Sequence, residues 1–111
     1  MNKTVKQIHD LLVTQVRNLS QAIGQTTDPD VAQQLLMEMQ EVVHRVDLAQ
    51  NLLFAKGSTD LDACLPKIQE TNDALAKSIQ AIQNTANFIN GATEFLKYVD
   101  QALDLAKTLA L

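Results

Sequence analysis

The chain has 111 residues, of which 46% are apolar but only 4% are aromatic, and it contains three Gly and two Pro. β-Sandwiches and barrels depend on aromatic and β-branched side chains and on many tight turns, so this composition argues against an all-β fold. Thirteen acidic and nine basic residues give a formal net charge of −4, which argues against a surface that binds nucleic acid or anionic lipid. We therefore expect one all-α domain, residues 1–111, with neither nucleic acid nor a membrane as its partner.

The chain also carries signals about its compartment. Its first residues lack the unbroken apolar segment of a signal peptide, and no stretch approaches the roughly 18 apolar residues of a membrane span. The single cysteine, Cys64, has no second cysteine with which to form an internal disulfide. These features favour a cytoplasmic protein.

The first predicted helix spans about 3–24. Its apolar residues recur every three or four positions, as expected for one stripe of a straight amphipathic helix. After it, Gly24 favours a helix end, Asp28 is a suitable N-cap, and Pro29 suits the first position of a new helix. The residues of the stripe are Val5, Ile8, Leu12, Val16, Leu19 and Ile23.

The second predicted helix spans about 29–56 and ends at Lys56 and Gly57, a cation and a glycine that suit a helix C-terminus. Its main apolar stripe repeats at heptad steps. Leu36 and Val43 widen this stripe on one side. The main stripe contains Ala32, Leu35, Met39, Val42, Val46, Ala49 and Leu53.

The third predicted helix spans about 60–90, after Ser58 to Asp60 as a cap. Pro66 lies about two turns inside and removes the hydrogen bond to Asp62, which predicts either a kink or a separate short first turn. Asn72 falls on the apolar stripe. There it resembles the buried polar residue that fixes register in coiled coils, although a solvated position at the edge of the stripe is the alternative.

The last predicted boundary lies at 90–92, because the heptad alternation fails there and Asn90-Gly91 is a pair suited to end a helix. A fourth helix then spans 93–110. One continuous helix of about fifty residues, with a slip in register, is the alternative. Short connections favour antiparallel neighbours, so we predict an up-down-up-down four-helix bundle.

No arrangement of side chains predicts catalysis. Glu41-x-x-His44 matches the metal-binding pair of di-iron bundles, but those sites need a second such pair, and the chain has only four Glu in all. The positions after His9 and His44 lack the Lys and Gly that follow a phosphotransfer histidine, and Cys64 lacks a neighbouring base. We therefore predict no catalytic residue, no metal and no cofactor.

A second, weaker apolar seam follows the second helix. Met37, His44, Leu48 and Ala55 recur at steps of seven, four and seven, outside the main stripe, and Phe88 lies outside the stripe of the third helix. Two apolar stripes on one helix can serve two interfaces, one inside the bundle and one against another chain. The candidate partner-binding residues are Met37, His44, Leu48 and Phe88. A heptad assignment displaced by one residue would instead place them in the core.

These patterns predict a small non-enzymatic interaction module that binds another protein or a second copy of itself. An adaptor, a secretion chaperone or an immunity-type inhibitor would act in this way, through an exposed helical face. The first alternative is a structural protein that self-associates as a dimer or coiled coil. The second is a bundle that carries a ligand or a metal in its core.

Overall fold

The computed structural model describes residues 1–80, 82 and 85–110. These residues form no strand, and their four long helices pack into a bundle 45 Å in its longest dimension, which confirms the predicted all-α four-helix fold. A short helix precedes the third long one. In chain order the helices are α1 (Lys3–Gln25), α2 (Pro29–Asn51), α3 (Thr59–Asp62), α4 (Leu65–Gln80) and α5 (Thr85–Leu109).

The beginning of α1 is capped by Asn2, which also ties it to the segment after α2. The side-chain carbonyl of Asn2 accepts a hydrogen bond from the Val5 N–H at 3.1 Å, an N-cap that satisfies one of the free amides of the first turn. The Asn2 side-chain amide donates to the carbonyls of Ala55 and Lys56, both at 3.2 Å. The Asn2 backbone N–H donates to the Leu53 carbonyl at 2.6 Å.

α1 ends within one residue of its predicted boundary, whereas the predicted end of the second helix is wrong. α2 begins with Asp28 as N-cap, as expected, but it stops at Asn51 rather than near 56. There the N–H of Leu52 bonds to the Ala49 carbonyl and that of Ala55 to the Leu52 carbonyl, both at 3.0 Å. These three-residue spacings tighten the chain into turns, so the α-helical ladder does not continue.

The predicted third helix is divided. Ser58 caps α3 by accepting a hydrogen bond from the Leu61 N–H at 3.0 Å, and α4 begins separately at Leu65. Pro66 thus lies in the first turn of α4, where its missing N–H is not required. The expected separate short first turn is confirmed. The predicted continuation to 90 is wrong because α4 ends at Gln80; positions 81, 83 and 84 of that span lie outside the described residues.

The predicted break at 90–92 is also wrong, since Asn90 and Gly91 lie inside α5. Gly91 has no positive φ and instead faces α4 closely. A Cβ placed at Gly91 would lie 3.4 Å from the Ser78 hydroxyl and 3.8 Å from the Leu75 Cα. Gly91 therefore lies where α5 packs closely on α4 with room for a methyl group but not for a large side chain, and it does not end a helix. Since α5 packs against α4, the alternative of one continuous helix is wrong as well.

The two hairpins, α1–α2 and α4–α5, pack with parallel neighbours across their interface. Within each hairpin the two helices contact each other. Between the hairpins, α1 contacts α4 and α2 contacts α5. On the α1–α4 side, Thr4 Oγ1 donates to the Asp62 carboxylate, and Gln15 donates to Asn72 further along the two helices. On the α2–α5 side, Arg45 donates to Asp100. The segment 52–64 therefore crosses the end of the bundle and places α2 diagonally opposite α4.

The core is aliphatic with two phenylalanines, and one polar pair crosses it. Gln15 is fully buried, and its side-chain amide donates to the Asn72 backbone carbonyl at 3.0 Å and to the Asn72 side-chain carbonyl at 2.7 Å. The predicted inward position of Asn72 is confirmed, although Gln15 was not expected as its partner. Buried amides of this kind favour one register, because any slip leaves them without a partner. Buried apolar residues include Val5, Ile8, Leu12, Leu35, Val42, Ile68, Leu75, Phe88, Phe95 and Val99.

Replacing Gln15 by leucine should destabilise the fold, because the buried side-chain carbonyl of Asn72 loses its donor. An unsatisfied buried carbonyl costs about 1–3 kcal/mol, whereas apolar replacement of both partners is nearly neutral. We expect Q15L to unfold at a lower urea concentration than the wild type, and Q15L/N72L to recover most of the loss. Equal midpoints for Q15L and the wild type would contradict the assigned role of this pair.

Substitution of Gly91 tests whether this residue lies in the interior of a helix or at a helix end. G91A should raise the melting temperature, because alanine in a helix interior is more favourable than glycine by about 0.5–1 kcal/mol and the added Cβ meets only ordinary contacts. G91L should lower it, because its larger side chain has to displace Leu75 and Ser78. Thermal unfolding followed by circular dichroism measures both, and a destabilising G91A would contradict a continuous α5.

Candidate interaction surface

Exposed large apolar side chains are concentrated on α2. Six such residues occur in the described part of the chain; four of them lie on α2, and a fifth, Phe54, follows it with 86% exposure. Single exposed apolar residues are ordinary on protein surfaces, whereas several on one face are typical of a binding site. The four are Leu36, Met37, Val43 and Leu48, which are 42%, 52%, 41% and 37% exposed.

These four side chains follow the two edges of what we term the α2 outer face. The helical repeat places Leu36 and Val43 on one edge, and Met37 and Leu48 on the other. Between the edges lies a polar strip that carries one acidic group. The strip consists of Gln40, His44 and Asp47, all of them exposed.

Each edge adjoins a recess formed with a neighbouring helix. Leu36 and Met37 line a recess of about 450 Å³ beside Ile23 of α1. Leu48 lines a smaller recess of about 240 Å³ together with Leu52 and with Leu103 of α5. The exposed surface of the second recess is mostly apolar, and Asn51, Asp104 and Lys107 complete its lining at the end of the α2 outer face.

The one arginine of α2 is turned away from the outer face and toward α5. Arg45 donates from Nε and Nη2 to the two carboxylate oxygens of Asp100 at 2.8 and 3.0 Å, and from Nη1 to the Glu41 carboxylate at 2.8 Å. The hydrogen bonds to Asp100, and then those to Glu41, raise the pKa of Arg45 against the opposing effect of burial. This bidentate ion pair links α2 and α5.

Of the predicted site residues, three lie on the outer face and one does not. Met37, His44 and Leu48 are exposed together, as the weaker seam requires. Phe88 is only 1% exposed, so its expected place at the surface is wrong. The reason is that α5 begins at Thr85 and continues unbroken, which makes Phe88 the first member of its buried stripe. Ala55 also leaves the seam, since it follows the end of α2 and is buried.

Two residues of the outer face were assigned to the core by sequence. Leu36 and Val43 were expected to widen the buried stripe of the second helix, but both are exposed. α2 packs extensively against α1 and less extensively against α5, so only a narrow stripe of α2 is buried. Their spacing of seven residues is the signal that could have assigned them to a second interface.

The other predicted chemical groups have ordinary surroundings. Glu41 pairs with Arg45, and among the described residues no cluster of three or more His, Cys, Asp or Glu could hold a metal ion. The Cys64 thiol donates to the Asp60 carbonyl at 3.4 Å, and burial, followed by the charge of Asp60, raises its pKa. No helix in the described part of the chain has the length and apolar content to cross a membrane.

No protein family model matches the chain, and no curated protein or solved structure is detectably similar to it.

Neutralising Glu38 should stabilise the protein at neutral pH. Burial in the cleft between α2 and α5, reinforced by the charge of Glu41, raises the pKa of Glu38 above its ordinary value of 4.5. A raised carboxyl pKa means that ionisation penalises the folded state, and that the penalty disappears as the pH falls below 4.5. We expect E38Q to have the higher urea midpoint at pH 7 and the two midpoints to converge in acid; parallel curves at all pH values would contradict this.

Proposed function

We propose that this chain is a small, non-enzymatic interaction module, such as an adaptor, secretion chaperone or immunity-type inhibitor, that binds another cytoplasmic protein through the α2 outer face. One observation carries the proposal. α2 exposes four large apolar side chains, whereas α1, α4 and α5 expose none over their described residues. Scattered single apolar residues are ordinary on a protein surface, whereas four on one helix are typical of a binding surface.

The dimensions of the α2 outer face suit a single docking helix. Leu36 and Leu48 are twelve residues apart, which corresponds to roughly 18 Å along the helix axis. Helical partners bind such faces by placing apolar residues at helical spacing against them. The two apolar edges and the polar strip between them form a shallow surface of this length, against which one helix of a partner can lie.

The recess beside Leu48 supports the proposal because it can hold an anchoring side chain. Its volume is about 240 Å³, and a cavity of roughly 150 Å³ is enough to hold a benzene molecule. One large apolar side chain of a partner therefore fits. Buried anchors of this kind contribute most of the binding energy in many protein interfaces.

The α2 outer face can be altered without disturbing the core. The inward side of α2 is held by Leu35, Val42 and Ala49, each at most 1% exposed. Charged substitutions on the opposite side leave these contacts intact. Loss of binding in such variants can therefore be separated from loss of folding.

The proposal is tested with M37D and L48D. Each should weaken binding to the native partner by at least about tenfold, as expected when a central apolar contact is replaced by a charge. The partner is first isolated by affinity capture from the native host, and binding of the purified proteins is then measured by calorimetry. Urea midpoints of both variants should remain close to that of the wild type.

A matched control places the same charge on another helix. Ala74 is exposed on α4, which lies diagonally opposite α2, so A74D should fold and bind the partner normally. If folded M37D and L48D retained every partner with the affinity of the wild type, the α2 outer face would not be the binding surface.

Self-association is the second candidate function. The seven-residue spacing of Leu36 and Val43 favours it, because heptad-spaced apolar residues pair helices in coiled coils. Sedimentation across a wide concentration range separates the two functions. A dimer that dissociates on dilution and is lost in L48D would favour self-association, whereas a concentration-independent monomer would exclude it.

A further inference from the structure

α2 differs from the other long helices in the sign of its exposed charges. All of its exposed charged side chains are acidic, namely Asp30, Glu41 and Asp47, and its arginine is held by Asp100 and Glu41. Each of the other three exposes both signs. Their exposed charged residues are Lys3, Asp10 and Arg17 on α1, Lys67, Glu70, Asp73 and Lys77 on α4, and Glu94, Lys97, Asp104 and Lys107 on α5.

The acidic and the apolar side chains thus occur on the same helix. Met37 and Leu48 form one edge of the α2 outer face, with Glu41 near that edge, and Asp47 lies in the polar strip one turn after Val43 of the other edge. A ligand that covers this surface has to supply apolar area and positive charge together, because uncompensated carboxylates at an interface oppose binding. We infer that the α2 outer face binds a basic amphipathic helix of another protein, an inference that rests on the proposed function.

A second copy of the chain fits the same surface poorly. Pairing of two α2 helices, in either orientation, brings carboxylates together, and α2 contributes no exposed lysine or arginine to balance them. Like charges across an interface disfavour association. An anionic lipid surface is disfavoured for the same reason, since it attracts basic rather than acidic helices.

The spacing of the apolar residues favours a helical partner. Leu36 and Val43 are seven residues apart, and Met37 and Leu48 are eleven apart, which is one heptad plus one turn. A partner helix with apolar residues at heptad spacing meets both edges. A lysine or arginine that flanks the partner's apolar stripe then lies opposite Glu41, and one between its apolar residues lies opposite Asp47.

Glu41 remains able to receive such a group despite its contact with Arg45. Arg45 Nη1 lies 2.8 Å from Glu41 Oε2, while the Glu41 side chain is 60% exposed. A carboxylate accepts several hydrogen bonds through its two oxygens. The internal ion pair therefore leaves acceptor capacity for a lysine or arginine of the partner.

Two synthetic helical peptides test the inference on the full chain. Both carry leucines at heptad spacing; one has lysine at the flanking positions and the other has glutamate. Fluorescence anisotropy should give a dissociation constant at least about tenfold lower for the lysine peptide, and the difference should shrink as salt screens the exposed charges. E41Q/D47N should lose the preference, whereas the matched pair E70Q/D73N on α4 should retain it.

The outcomes separate the existence of a binding surface on α2 from its preference for a basic partner. If both peptides bound equally and L48D abolished both, the outer face would be a binding surface but the inferred basic partner would be wrong. If neither peptide bound, the inference would likewise be wrong. If the lysine peptide bound M37D, L48D and E41Q/D47N as well as the wild type, it would bind elsewhere and the inference would fail, whereas the proposed function fails only if M37D and L48D retain the native partner.

Discussion

The packing of α1 beside α4 is the constraint on which the rest of the arrangement depends, and the hydrogen bonds between Gln15 and Asn72 favour its register. They join α1 to α4 inside an otherwise apolar core, and they are satisfied in one register only. Because α1 and α4 are parallel neighbours across the interface of the two hairpins, α2 lies diagonally opposite α4. α2 is therefore covered by α1 and partly by α5, and its remaining surface faces outward. The exposure of Leu36, Met37, Val43 and Leu48 is a consequence of this arrangement.

The opposite side of the bundle is held differently. α2 and α5 are linked by the ion pair of Arg45 with Asp100, in which the guanidinium is largely shielded while the carboxylate is about half exposed. A surface ion pair stabilises less than close apolar packing does. The two recesses along α2 and α5 are consistent with that looser contact. The same pair withdraws the only arginine of α2 from the outer face, which leaves that face acidic.

Much of the fold follows from local sequence. The stripe of α1, the Asp28 and Pro29 start of α2, and the separate turn before Pro66 depend on neighbouring residues and were predicted. The role of Gly91 was not, because a glycine that ends a helix and one that admits a neighbouring helix have the same local sequence. Gln15 was missed because a polar residue beside an apolar stripe is ordinarily solvated, and its burial depends on the distant Asn72.

The candidate site was predictable in part, for a similar reason. The seam of Met37, His44 and Leu48 repeats at heptad steps, so the sequence indicates that these residues share a side of the helix. Whether Leu36 and Val43 are buried depends instead on how many helices pack around α2. The sequence of α2 alone does not specify that number. Phe88 was misplaced because the register of α5 depends on where that helix begins.

The capping of α1 by Asn2 has a consequence for how the protein opens. The Asn2 side chain bonds to the carbonyls of Ala55 and Lys56, its backbone N–H bonds to Leu53, and Thr4 bonds to Asp62. The first turn of α1 and the segment 52–62 are thus two parts of one cooperative unit, although about fifty residues separate them in sequence. We therefore expect fraying of the first turn of α1 to release the crossing segment with it, so that the amides at both places exchange with solvent through a shared opening.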